Sequence, residues 1–423
     1  MQIVNASIIT IGDELLIGQT VDTNSAFIGQ ELNKIGVWVR RRIAVGDVWD
    51  DIWNVLDEES KESDIIIITG GLGPTADDIT KPLLCEYFGG KLIVDEKVLQ
   101  HVKDIFAKLN RPIIERNMKQ AEVPDVCEVL FNKRGTAPGM WFAPQPPKGG
   151  AQKIFISLPG VPYEMKGLII EEVIPRLQKT FSLPAIVHKT IFTAGQGESF
   201  IAETIKDVEA SLPSYIKLAY LPGFGLVKLR LTARGDNKDA LEKELAPYAD
   251  KLKELLKDFI VTDVDEGLEI VVGKILKAKG KTMATAESCT GGNIAHMITS
   301  VAGSSNYYKG SVVSYANEVK ENILNVKHET LESVGAVSEE TVLQMVKGVI
   351  GKLNVDYAVA TSGIMGPDGG SSEKPVGTVW IGVGNKNKME AKKFYFRFDR
   401  ERNIEQTSLT ALNMLRKFIL END

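Results

Sequence analysis

Asp64-Ile65-Ile66-Ile67-Ile68-Thr69-Gly70-Gly71-Leu72-Gly73-Pro74 is the stretch that decides the architecture. Four consecutive β-branched apolar residues suit a strand buried on both faces, as parallel strands are when helices cover each side of the sheet. The glycine-proline run then stops the strand and places a turn at its carboxyl end, where open α/β sheets bind ligands. Upstream, residues 6–11 read as another short strand ending at Gly12, and Ile28, Leu32 and Ile35 mark one face of a helix. Residues 1–175 therefore read as an α/β domain.

The same periodicities divide the remainder. Residues 185–262 read as a small α+β middle domain, with strand-like runs at 186–193 and 226–232 and helical spacing through Leu241, Leu245, Leu252 and Leu256. Gly195-Gln196-Gly197 reads as a turn rather than a phosphate loop. Residues 263–423 return to an α/β pattern. A helix through Leu268, Val271, Val272 and Ile275 precedes strand candidates at 282–286, 357–361, 376–383 and 394–398, with helices at 293–299 and 402–420. Three domains agree with 423 residues at roughly 150 per domain.

With 43% apolar and 25% charged residues the chain is ordinary globular material. A formal charge of −6 supplies no basic field, which argues against a large nucleic-acid surface. Cys85, Cys127 and Cys289, with the four scattered histidines, make neither a zinc spacing nor a disulfide framework. The opening Met1-Gln2-Ile3-Val4 lacks a basic leader, and no apolar run reaches spanning length, so the expectation is a cytoplasmic protein with no membrane partner. Oligomeric order is left open, a homo-oligomer included.

Four local features fall together in the first domain: Gly12-Asp13-Glu14-Leu15, Asp22-Thr23-Asn24, Gly70 through Thr75, and Asp77-Asp78-Ile79-Thr80. Glycines allow backbone N–H groups to cradle phosphate oxygens. Carboxylates beside such a cradle would repel bare phosphate, but a divalent cation can bridge the two. The competing reading is helix capping by the acidic and amide residues and turn bonding by Thr75 and Thr80.

These motifs, with Asn117, Gln120-Ala121, Gly135-Thr136-Ala137-Pro138-Gly139 and Leu158-Pro159-Gly160-Val161-Pro162, resemble the molybdopterin-binding-like domain of the competence/damage-inducible CinA family. The resemblance implies a metal-dependent ADP-ribose pyrophosphatase using Mg or Co. It places Asp13, Glu14, Asp77 and Asp78 at the metal, with Asn24, Gly70, Gly71, Gly73, Thr75 and Asn117 positioning substrate. The same resemblance admits a nonenzymatic, competence-associated or molybdopterin-like binding protein.

A second site centres on Thr285-Ala286-Glu287-Ser288-Cys289-Thr290-Gly291-Gly292. A strand-turn-helix setting exposes a nucleophile and lets turn or helix N–H groups face an oxyanion. No histidine lies nearby, so another base is required, and Lys320 qualifies if desolvation lowers its pKa. Thr361-Ser362-Gly363-Ile364-Met365-Gly366-Pro367-Asp368-Gly369-Gly370 adds a glycine-rich turn.

The octapeptide, Gly303-Ser304-Ser305, Tyr315-Ala316-Asn317-Glu318-Val319-Lys320 and Gly335-Ala336-Val337-Ser338 resemble, in order, the CinA carboxy-terminal domain, which includes nicotinamide-nucleotide amidohydrolases. The resemblance covers almost the whole chain. It implies two nucleotide hydrolases: deamidation of nicotinamide mononucleotide to nicotinic acid mononucleotide without a cofactor, beside hydrolysis of ADP-ribose to AMP and ribose 5-phosphate. Ser288 is then nucleophile and Lys320 base, with Thr290 either orienting Ser288 or attacking in its place. Tyr315, Asn317, Thr361, Ser362 and Gly363 line the substrate. Met365 stands where the family has alanine, and Ile404 where it has a basic residue, which leaves Arg400 or Arg402 for the phosphate.

Overall fold

The computed structural model describes residues 4–75, 77–145, 152–223 and 225–422, so only Val4 of the opening tetrapeptide falls among them. The chain divides into two compact units, Met1–Val187 with Arg234–Leu241, and His188–Ala233 with Glu242–Asp423. Among the described residues no helix is long and apolar enough to cross a membrane.

In the first unit a six-stranded sheet runs in the order Trp38–Val45, Asn5–Ile11, Ile65–Thr69, Ile154–Leu158, Gly139–Phe142, Glu128–Leu130. The first four strands are parallel and the last two antiparallel. Ile65 through Ile68 have no solvent exposure. Alternation sends Ile65 and Ile67 into a core with Ile28, Leu32 and Leu177, and Ile66 and Ile68 into another with Ile52, Leu56 and Leu84. At roughly 1.5–3 kcal/mol for each fully buried isoleucine, this strand joins the cores on both faces of the sheet.

Gly70 follows at φ 118°, where an added Cβ would stand 2.2 Å from the Ile11 carbonyl oxygen. The turn is thus pressed against the neighbouring strand's end, an approach closed to any side chain. The Trp38–Val45 edge strand and the Trp49–Glu62 helix were not legible in the residue pattern. Arg40-Arg41-Arg42 interrupts the strand's apolar alternation because this edge faces solvent. There Arg41 pairs with Glu58 at 2.7 Å and with the fully buried Glu59 at 2.6 Å.

In the smaller sheet the order is Ile216–Gly223, Leu226–Gly235, Ala185–Ala194, Ile260–Thr262. Helix Lys238–Leu255 follows the leucine spacing read from sequence. Strand Ile216–Gly223 and helix Glu198–Ala210 add to the elements read there.

The last sheet runs Tyr308–Val313, Met283–Glu287, Tyr357–Gly363, Thr378–Asn385, Met389–Tyr395, the first three parallel and the rest antiparallel. Helix Asn293–Thr299 lies where it was expected, and the closing helix spans Arg400–Glu421. The final strand begins earlier than residues 394–398 suggested. Asn385 accepts from the backbone N–H groups of Asn387 and Lys388, forming the hairpin turn there. Met389 and Ala391 then face inward between exposed Glu390 and Lys392, an edge-strand alternation hidden by its charges.

Gly348, in helix Glu339–Leu353, admits close approach of the Asn317–Leu324 helix; a Cβ there would lie 1.9 Å from the Leu324 carbonyl oxygen. Gly348→Ala should force the helices apart and cost about 1–3 kcal/mol by overpacking. Thermal unfolding checks this, and a wild-type midpoint would contradict the close packing.

Candidate functional site

Three parallel strands of the last sheet end together at Glu287, Val313 and Gly363. Parallel strands discharge their loops on one side, and these loops line a cavity of about 210 Å³. Ser288, Tyr315, Asn317, Lys320, Ser362, Gly363 and Arg400, all expected from sequence, come together in its wall. Cys289, Ala336, Val337 and Met365 complete it.

Lys320 is 1% exposed, although it carries a four-carbon stem and an amine. Its Nζ donates to the Ser314 carbonyl at 2.7 Å and the Tyr315 carbonyl at 3.2 Å. Burial holds its pKa below the ordinary lysine value. The neighbouring Cys289 thiol is pushed up to about 12 by burial, so it stays protonated near neutrality. Arg400 reaches the Gly366 carbonyl at 2.8 Å and the Tyr315 hydroxyl at 3.0 Å. Arg402 instead turns to Asp399 outside the cavity wall, which leaves Arg400 as the guanidinium in it.

Thr290 and Thr361 lie behind that wall. Both are buried, and their hydroxyls meet at 2.8 Å while Thr290 donates to Glu287 at 2.8 Å. Thr290 thereby braces the turn from within, its hydroxyl engaged by Glu287 and Thr361. The helix N–H groups expected to face an oxyanion are also committed elsewhere: those of Gly292, Ile294 and Ala295 donate to the Glu287 carboxylate. The octapeptide's spacing assigns Glu287 no role. Its signal was an acidic residue closing an otherwise uncharged strand.

At the first sheet's carboxyl end, Asn24 donates to the Gly160 carbonyl at 2.7 Å, while its buried Oδ1 has no partner among the described residues. Gly70 and Gly71 lie in the adjoining turn with positive φ. Asp22 caps the Thr23–Lys34 helix through the Ser25 N–H at 2.9 Å. Asn117 turns inward to close its own short helix, accepting from the Ile114 N–H at 3.2 Å.

Asp78 binds its own loop, accepting from the Gly73 N–H at 2.7 Å and the Thr75 N–H at 2.9 Å, with the Thr75 hydroxyl on the same carboxylate. Asp13 and Asp47 exchange backbone-to-carboxylate bonds at 3.2 and 3.3 Å. Burial raises the Asp47 pKa; the Asp13 N–H opposes this, while the charges of Asp13, Glu14 and Asp77 add to the rise. Asp47 escaped the sequence reading because the strand that delivers it did. These carboxylates are oxygen donors suited to a hard divalent ion. Among the described residues, however, no group of three His, Cys, Asp or Glu side chains is placed to hold one.

Residues 7–179 match the family described as "Probable molybdopterin binding domain", 188–262 the "Damage-inducible protein CinA KH domain", and 265–419 the "CinA C-terminal domain". A CinA-like protein of Flavobacterium psychrophilum is 48% identical over 419 residues, covering 99% of each chain. One from Cytophaga hutchinsonii is 47% identical over 416 residues, covering 98% of each. A solved competence-damaged protein (CinA) superfamily structure from Klebsiella pneumoniae is 36% identical, covering 36% of this chain and 96% of that one at a TM-score of 0.36.

Proposed function

The chain belongs to the CinA family, and on that premise we propose that its C-terminal cavity deamidates nicotinamide mononucleotide to nicotinic acid mononucleotide. The observation that carries this is the setting of Lys320. A neutral amine has two N–H hydrogens and one lone pair; the Ser314 and Tyr315 carbonyls engage the hydrogens and leave the lone pair for a proton. Desolvation favours that neutral form. Ser288 lies in the wall of the same cavity.

Lys320 takes the Ser288 hydroxyl proton as Oγ bonds to the carboxamide carbon. The resulting ammonium stabilises the developing oxyanion, in place of the helix N–H groups held by Glu287. Collapse breaks the C–N bond, and the proton leaves with ammonia. Water then cleaves the acyl-serine ester, releasing the carboxylic acid and restoring Ser288. Arg400, with five guanidinium donors, pairs with the nucleotide's phosphate.

Ser288→Ala should abolish ammonia release under saturating substrate, and retained wild-type turnover would remove Ser288 as nucleophile. Because the base must be neutral, kcat/KM should rise with pH through the lowered Lys320 pKa and level off above it. A profile flat across the range from neutrality to the ordinary lysine value would contradict Lys320 as that base.

The first domain carries a second proposed reaction, metal-dependent hydrolysis of ADP-ribose to AMP and ribose 5-phosphate. It is supported by the Asn24 Oδ1 beside the glycine turn, which has no partner among the described residues, and by the acidic group around Asp47. Mg or Co would supply charge neutralisation for the pyrophosphate; Asp13, Glu14, Asp47 and Asp77 are the donors at hand, and their present arrangement defines no coordination geometry. Asp47→Asn and Asp77→Asn should each lose metal-stimulated AMP formation, whereas Ser288→Ala should keep it. Tight binding of either nucleotide with no turnover, with and without metal, would favour a nonenzymatic binding protein instead.

A further inference from the structure

Glu287 has no solvent exposure, and its carboxylate accepts five hydrogen bonds. Thr285 contributes one hydroxyl at 3.1 Å and Thr290 another at 2.8 Å. The backbone N–H groups of Gly292, Ile294 and Ala295 add three more at 3.1, 3.0 and 2.8 Å. One side chain thus gathers donors spread from the end of the strand into the following helix, enclosing the turn that bears Ser288.

The backbone of Glu287 extends the same anchorage toward the base. Its carbonyl accepts from the Ser314 N–H at 2.8 Å, and the Ser314 carbonyl in turn holds the Lys320 amine at 2.7 Å. Ser288 itself is fixed by its N–H on the Thr361 carbonyl at 3.0 Å. The nucleophile's turn and the base's carbonyl anchor therefore both start from residue 287. Glu287 is absent from the cavity wall, so it acts through its neighbours rather than on substrate.

We propose that Glu287 is a positioning residue, whose buried carboxylate fixes the turn at 288–292 so that the Ser288 hydroxyl meets Lys320 in register. This rests on the Ser288 and Lys320 reading given above. An isosteric amide in place of the carboxylate presents N–H groups to a ring of N–H and hydroxyl donors, and the turn must shift. Displacement of a reacting atom by about an ångström costs on the order of 100-fold in rate.

The test compares full-length wild type with Glu287→Gln and Glu287→Asp. Three readouts are taken: deamidation kinetics, labelling of Ser288 by a fluorophosphonate, and amide hydrogen exchange at Gly292, Ile294 and Ala295. In Glu287→Gln, kcat should fall about 100-fold with KM nearly unchanged, labelling should slow in parallel, and the three amides should exchange faster. Glu287→Asp, with the charge but a shorter reach, should recover part of the loss.

Wild-type kcat and labelling in Glu287→Gln would overturn the proposal. Wild type that is labelled at Ser288 yet releases no ammonia would defeat the deamidase reading alone, because labelling still reports the alignment. If Glu287→Gln does not fold, Thr290→Val removes a single donor and should give a smaller fall in kcat and labelling; unchanged values for both would overturn the proposal equally.

Discussion

Burial of the central parallel strands on both faces is the constraint from which the rest follows. Ile65–Thr69 in one sheet and Met283–Glu287 in another are covered on both sides, so no side chain along their length meets solvent. Polar chemistry is thereby driven to the strand ends. Thr69 runs into Gly70-Gly71, and Glu287 into Ser288. The same geometric rule yields two different clusters of polar groups because the residues arriving after the last buried position differ.

At the first sheet end the arrivals are glycines, an amide and carboxylates, a set that combines close backbone approach with accumulated negative charge. At the last, they are hydroxyls, a thiol, a lysine and an arginine. The contrast shows in how charge is handled. The Asp47 pKa is raised by burial and by its acidic neighbours, whereas that of Lys320 is lowered by burial, its amine held by two carbonyl oxygens. Crowded carboxylates favour a nearby cation, and desolvation of an amine favours its neutral form.

The sequence disclosed best those parts whose physics is local. Ile65 through Ile68 announced a strand because continuous β-branched apolar residues have few other uses, and the leucine spacing before Leu255 announced a helix. Edge strands hid, since Arg40-Arg41-Arg42 and Lys392-Lys393 suit solvent-facing sheet edges as well as loops. Within the sites, Ser288 and Lys320 were legible from motif resemblance and Arg400 only as an alternative to Arg402 where the family's basic residue is missing, and the structure brings the three into one cavity. The inward turn of Thr290 and the capture of three helix N–H groups by Glu287 were not. Both depend on which way a side chain points within a turn, something spacing along the chain does not encode. Asp47 was hidden along with the edge strand that precedes it, and its carboxylate meets Asp13 across 34 residues.

The grip on Lys320 comes from carbonyl oxygens, and every residue type at 314 and 315 would supply the same two acceptors. The hold on this amine is therefore written in the main chain, while the Tyr315 hydroxyl that meets Arg400 belongs to the side chain. Such a division lets a lineage exchange side chains around the cavity while keeping intact the hold on the proposed proton acceptor.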